Sequence, residues 1–264
     1  MPLTHANGID LYYEETGSGP PLLLINGLGG NTAGMAPMVE GLTPQYRVLA
    51  FDNRGAGRSS APQGPYTTRL LADDAAALLA QLGIDRARVV GFSLGGMIAQ
   101  ELALAYPERV DHLALVATSA RPHSGVMGPW LRFFVQARER ELDATGFGLW
   151  FMPWLLSSTF MANHEQLEAA LAGGDDPYPA PAHGVAAQAA ATLGHDALDR
   201  LPQIAAPTLV LVGAEDILTP VADAQELAAG IPAARLEVME RGAHLAFGEY
   251  PEVVAAALLT FLAA

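Results

Sequence analysis

The sequence predicts an α/β protein built on a mainly parallel sheet with helices on both faces, interrupted by one helical insertion. Three observations predict it. Short continuous apolar runs of the kind a strand buried on both faces carries recur at Pro21–Ile25, Leu113–Ala117 and Pro207–Gly213. Segments with apolar residues at helical spacing alternate with these runs. Between residues 121 and 198 the alternation stops, and that stretch holds all three tryptophans and five of the nine phenylalanines. The chain therefore divides into a first part of the core (1–120), a helical cap insertion (121–198) and a second part of the core (199–264).

At 264 residues the chain is long enough to bury a substantial core as one large domain. With 51% hydrophobic and 16% charged residues it belongs with folded rather than disordered chains. No apolar run approaches the roughly 18 residues of a membrane span. The N-terminal Met1–Gly8 lacks the basic start and apolar stretch of a secretory signal, so cytoplasm is the expected location. With no cysteine there are no disulfides and no thiolate metal sites. The net charge of −14 comes from 28 acids against 14 arginines without a single lysine, which weighs against nucleic acid and anionic membranes as partners.

In order, Asn7-Gly8 between Pro2–His5 and the alternating Ile9–Glu14 is a hairpin signal, so the chain should open with antiparallel strands. The Pro21–Ile25 strand leads directly into Asn26-Gly27-Leu28-Gly29-Gly30. A short helix over 35–42 and a strand over 46–51 follow, the latter ending in Asp52-Asn53-Arg54-Gly55-Ala56-Gly57-Arg58-Ser59. Thr67 caps a helix whose apolar spacing runs to Leu82, with Gly83 as its stop. Val89-Val90 is a strand and Leu94–Ala105 a helix ended by Pro107. After the insertion, strand 207–213, helix 220–229, strand 235–239 and helix 251–263 complete the alternation.

Between Val90 and Leu94 stands Gly91-Phe92-Ser93-Leu94-Gly95, which puts Ser93 on a tight strand-to-helix turn. The flanking glycines let the backbone bend sharply, push the hydroxyl outward and give Ser93 itself a positive φ. A serine hydroxyl attacks poorly until a base takes its proton, so a histidine oriented by a carboxylate is required. Of seven histidines, His244 alone lies between the last strand and the last helix, where a loop can reach Ser93. The acid should follow an intervening strand, and Gly213-Ala214-Glu215-Asp216 offers two carboxylates. Asp216 is preferred because it directly precedes the apolar Ile217-Leu218, and Glu215 is the runner-up. The oxyanion needs two aimed donors, for which the backbone amides of Leu94 and Leu28 are the candidates.

Asp52-x-Arg54-Gly55-x-Gly57-x-Ser59, Gly91-x-Ser93-x-Gly95-Gly96, Gly213-x-x-Asp216 and Gly242-Ala243-His244 occur in an order that resembles the α/β-hydrolase-fold serine hydrolases over the full chain. Gly95–Gln100 and Ala243-His244-Leu245 are similar to 3-oxoadipate enol-lactonases and small carboxylesterases. The resemblance implies an esterase or lactonase that needs neither cofactor nor metal and acts on a small-molecule ester or lactone. One departure stands out: the family usually has His-Gly where this chain has Asn26-Gly27. A carbon-carbon bond hydrolase or cofactor-free perhydrolase of the same fold is the alternative. The former is disfavoured by Leu245, which stands where such enzymes carry tryptophan. A ligand-binding protein with vestigial turnover is the reading from another class. The resemblance gives Arg54 and Arg58 a mainly structural role. Asn26, Trp130, Trp150, Trp154 and Leu245 are the candidates for the substrate pocket, expected to favour an apolar group.

Overall fold

Asn7 and Gly8 adopt positive φ angles of 47° and 78° and join β1 (Leu3–Ala6) to β2 (Ile9–Thr16) as an antiparallel hairpin. This two-residue loop has the twist that strand pairs require, and it is readable directly from Asn-Gly. The computed structural model describes residues 2–122, 125–140, 144–171 and 176–263, the side chains of 144–149 and 169–171 excepted.

Six further strands complete one sheet: β3 (Pro21–Ile25), β4 (Arg47–Phe51), β5 (Ala87–Phe92), β6 (Val110–Val116), β7 (Thr208–Gly213) and β8 (Ala234–Met239). Their spatial order is β1-β2-β4-β3-β5-β6-β7-β8, with β2 antiparallel to both neighbours and β4 through β8 mutually parallel. β6 begins three residues before its apolar run, because Val110 already pairs with Ala87 while Asp111 and His112 stay half-buried at that end.

Helix α1 (Ala36–Leu42) packs on one face of the sheet with α11 (Pro251–Leu262), where Met38, Leu42, Val254 and Leu258 join a common apolar layer. The opposite face is covered by α2 (Thr68–Gln81), α3 (Leu94–Ala105) and α9 (Val221–Gly230). Thr67 caps α2 as expected, its hydroxyl accepting from the Leu70 amide at 3.0 Å, and Gly83 follows at φ 66°. From β3 the chain moves outward to β4 and then returns past β3 to β5. Loops after β3 and β5 thus leave toward opposite faces, opening the crevice in which this architecture binds ligands.

Between β6 and β7 lie α4 (Met127–Glu139), α5 (Ala144–Leu155), α6 (Ser158–Ala162), α7 (His164–Leu171) and α8 (Ala182–Leu193), followed by a 3-10 turn. The short α10 (Ala246–Glu249) precedes α11. No helix among the described residues is long and apolar enough to cross a membrane.

The two arginines of the β4 loop have structural partners. Arg54 is buried and forks onto Asp74 of α2 with two 2.5 Å bonds, and Asn7 adds a third donor to the same carboxylate at 2.7 Å. Arg58 lies between the rings of Tyr12 and Tyr178 and donates to Glu14 and Thr32. Removing one partner of a buried pair leaves an uncompensated charge, so Asp74→Ala should lower unfolding stability by about 3–5 kcal/mol. Urea denaturation checks this, and a loss under about 1 kcal/mol would mean that water reaches Arg54.

Candidate active site

Ser93 sits between β5 and α3 at φ 53° and ψ −118°, a conformation that costs a non-glycine residue about 1–3 kcal/mol. Its neighbours enforce the turn. A Cβ on Gly91 would strike the backbone of Gly95, and one on Gly95 would strike the Ile25 carbonyl at the end of β3. The serine is held from both sides by the end of β6: its amide donates to the Val116 carbonyl at 2.9 Å, and its carbonyl accepts from the Thr118 hydroxyl at 2.7 Å.

His244 comes from the loop after β8, and its Nε2 lies 3.0 Å from Ser93 Oγ. Its Nδ1 lies 2.9 Å from Asp216 Oδ2. With an ionised carboxylate as partner, Nδ1 donates, which leaves Nε2 to accept from the serine hydroxyl. Asp216 is buried, and its other bonds keep it in place. Oδ1 accepts from the amides of Leu218 and Thr219 at 2.9 Å each, and Oδ2 accepts from the Thr219 hydroxyl at 2.7 Å. Glu215 turns the other way, accepting from the Ser158 amide at 2.9 Å and its hydroxyl at 2.5 Å at the start of α6. Of the two carboxylates, Asp216 is therefore the one that meets the histidine.

Leu94 opens α3, so its amide is among the first-turn N–H groups that have no acceptor in their own helix. Leu28 lies in the turn after β3, closed by a 3.3 Å bond from the Gly30 amide to the Gly27 carbonyl. A Cβ on Gly27 would come within 3.4 Å of Ser93 Cβ, so this turn lies directly against the serine. The Asn26 side chain is used inside the loop. Its Nδ2 donates to the Asn31 carbonyl at 2.5 Å and its Oδ1 accepts from the Gly27 amide at 2.8 Å. This residue clamps both ends of the glycine turn.

Above Ser93 opens a cavity of about 680 Å³. Asn26, Leu28, Leu94, Trp130, His244 and Leu245 all contribute to its wall, together with Ser93 itself. Trp130 stacks on Phe134 with centroids 5.1 Å apart and meets Phe151 edge-on at 5.6 Å. Trp150 and Trp154 are not on this wall, contrary to the sequence expectation: they are 61% and 39% exposed. α5 turns Phe151 inward against the α4 aromatics, so positions 150 and 154, four residues apart, share an outward face. The α4 residues Met127, Leu131 and Phe134 also line the cavity and were not singled out from sequence, although with Trp130 they form one helical stripe.

An open sheet of this order, with a strained serine at its switch point, is the architecture of an α/β hydrolase. The chain belongs to the alpha/beta hydrolase fold family, whose model matches residues 20–251. It is therefore a hydrolase by class. It is 33% identical to a protein of Azorhizobium caulinodans named "Putative carbamate hydrolase RutD", over 99% of this chain and 98% of that one. It is also 33% identical to 3-oxoadipate enol-lactonase 2 of Acinetobacter baylyi, over 96% of this chain and 95% of that one. The crystal structure of the enol-lactonase from Burkholderia xenovorans LB400 superposes with a TM-score of 0.88 at 28% identity, covering 100% of both chains.

A second buried histidine lies away from this site. His195 Nδ1 is 3.0 Å from the Thr68 hydroxyl, and burial pushes its pKa down to about 4 from 6.5. Above pH 6.5 it is neutral whether the chain is folded or not, so it contributes no pH dependence there. Between 6.5 and about 4 the unfolded chain takes a proton that the folded one refuses, and stability falls. His195→Gln should flatten the loss of stability over that window, and chemical denaturation at a series of pH values checks it.

Proposed function

We propose that the chain cleaves a small ester or lactone by nucleophilic catalysis, with Ser93 as nucleophile, His244 as base and then acid, and Asp216 as its orienter. The observation that carries this reading is the relay Ser93 Oγ to His244 Nε2 at 3.0 Å and His244 Nδ1 to Asp216 at 2.9 Å. His244 takes the hydroxyl proton as Oγ bonds to the substrate carbonyl carbon. The carbonyl oxygen becomes an oxyanion, met by the Leu28 and Leu94 amides. When the carbonyl re-forms, the ester C–O bond breaks, and His244 passes its proton to the leaving oxygen. For a lactone that oxygen stays tethered to the acyl group. Water, deprotonated by His244, then attacks the acyl-Ser93 carbonyl and releases the acid and the serine hydroxyl.

Residues 121–198 act in this reading as a cap over the site. The wall formed by Trp130, Phe134, Met127 and Leu245 favours a substrate with an apolar group. The likeness to a protein named as a carbamate hydrolase makes an alkyl carbamate the second substrate type to test beside esters and lactones.

Ser93→Ala should stay folded and lose both fluorophosphonate labelling and turnover on a panel of p-nitrophenyl esters, lactones and carbamates. Turnover that survives this change would sink the mechanism. Asp216→Asn should lower kcat by up to roughly 10⁴-fold, because the histidine loses its orienter, while Glu215→Gln should leave kcat nearly unchanged. The reverse result would reassign the acid.

Acyl length tests the pocket. Each buried methylene contributes about 0.8 kcal/mol, so kcat/KM should rise roughly fourfold per carbon beyond acetate until the cavity is full. Trp130→Ala should distort that series, and Trp150→Ala and Trp154→Ala should not. An unaltered series in Trp130→Ala would place the acyl group elsewhere in the cavity.

A further inference from the structure

The glycine turn that carries the Leu28 amide is held by a residue far away in sequence. Gln188 on α8 is wholly buried, and its Oε1 accepts from the Gly29 amide at 2.7 Å. Its Nε2 donates to the Arg54 carbonyl at 2.8 Å, so one side-chain amide joins the loop after β3 to the loop after β4. α8 is itself seated on the core at this point: a Cβ on Gly184 would collide with the backbone of Gly55. One turn of helix beyond Gln188, Thr192 donates back to the Gln188 carbonyl, and His195 reaches Thr68 of α2.

The Gly27–Gly30 bond with Gly29 at φ 69° has the features of a type II turn. In such a turn the outer peptides are tied by the closing bond, whereas the central peptide, here Leu28–Gly29, needs a partner of its own or it rotates. Glycine at 27, 29 and 30 offers little resistance to that rotation. Gln188 supplies the only side-chain acceptor for the Gly29 amide among the described residues. We propose that Gln188 is a positioning residue for the oxyanion site: by holding the central Leu28–Gly29 peptide it fixes the turn in one form, which keeps the Gly30 amide bonded to the Gly27 carbonyl and so keeps the Gly27–Leu28 peptide, with its Leu28 N–H, aimed at the carbonyl oxygen as charge develops there. The inference rests on the ester or lactone hydrolase reading above. It assigns to α8 a part in the chemistry as well as in covering the site.

A positioned donor acts on the transition state more than on the bound ester. Gln188→Met keeps the length and removes both hydrogen bonds. It should lower kcat on p-nitrophenyl acetate by about 10- to 100-fold, below the roughly 10²- to 10³-fold cost of deleting an oxyanion donor outright. Affinity for a trifluoromethyl ketone, whose adduct with serine carries the oxyanion, should fall by a similar factor. Binding of the same ester to Ser93→Ala should be equal with and without Gln188→Met, which a general loosening of the site would not give. Gln188→Glu, whose protonated carboxyl presents the same acceptor and donor, should recover part of kcat, and it is the variant to read if Gln188→Met does not fold. Unchanged kcat in a folded variant, or a loss of ester binding equal to the loss of kcat, overturns the proposal. A parent enzyme that ignores the ketone and keeps turnover as Ser93→Ala overturns the hydrolase reading itself, and this inference with it.

Discussion

The close approach of α3 to the end of β3 is the contact on which the rest of the site depends. Gly95 meets the Ile25 carbonyl backbone to backbone, and Gly91 meets Gly95 in the same way. No side chain fits between them, so the chain must reverse within the single residue that separates strand from helix. That residue is Ser93, and its positive φ is the result. The strain is offset by bonds at both of its peptide groups, to Val116 and Thr118, which are themselves fixed at the end of a central strand. The same approach brings the first turn of α3 beside the turn after β3, so that Leu94 and Leu28 line one cavity. The strain at Ser93 and the juxtaposition of the two turns thus share one geometric origin.

Three carboxylates near the His244 loop are sorted by the donors they meet. Asp216 meets two amides, a hydroxyl and the His244 ring. Glu215 is turned toward Ser158. Glu249, also buried, accepts from the Ala243 amide at 2.8 Å and from the amide and hydroxyl of Ser157. Ala243, the residue before His244, is thereby tied to the start of α6, and the Leu245 amide after it donates to the Leu155 carbonyl at 2.9 Å. A buried charge is stable only where donors converge on it. For Glu215 and Glu249 the converging donors come from Ser157, Ser158 and Ala243, and for Asp216 from its own neighbours Leu218 and Thr219 and from His244.

The legibility of these features in the sequence follows their range. The Asn7-Gly8 hairpin, the Thr67 cap and the Ser93 turn are each written within a few adjacent residues, because φ preferences and capping act locally. That Asp216 rather than Glu215 lies against His244 was readable because two apolar residues directly follow it. Trp150 and Trp154 misled because aromatic content says nothing about which side of a helix faces inward. The outcome turned on Phe151 filling the space under α4, a matter of packing between two helices. Gln188 carried no local signal at all. It is one polar residue in the alanine-rich Ala182–Leu193, and its partners lie 159 and 134 positions away. Asn26 was visible as a departure, but its function as a clamp depends on where the Asn31 carbonyl comes to lie.

Among the described residues, the segment between β6 and β7 meets the site at three places. The segment 155–158 is bonded to both sides of the His244 loop. Asp176 and the Tyr178 carbonyl accept from Asn31, beside the glycine turn, while the Tyr178 ring covers Arg58. α8 holds Gly29 through Gln188. The aromatic stripe of α4, which shapes the cavity, rests on α8 through Met127, Leu131 and Ala189. Residues that line the cavity are therefore braced against the same helix that bonds the glycine turn. A volume change at Trp130 or Leu131 is transmitted through a close-packed contact to α8, since such interiors do not absorb displacement locally. On the proposed reading, the shape of the pocket and the aim of the Leu28 amide are coupled, and a change in one acts on the other through Gln188.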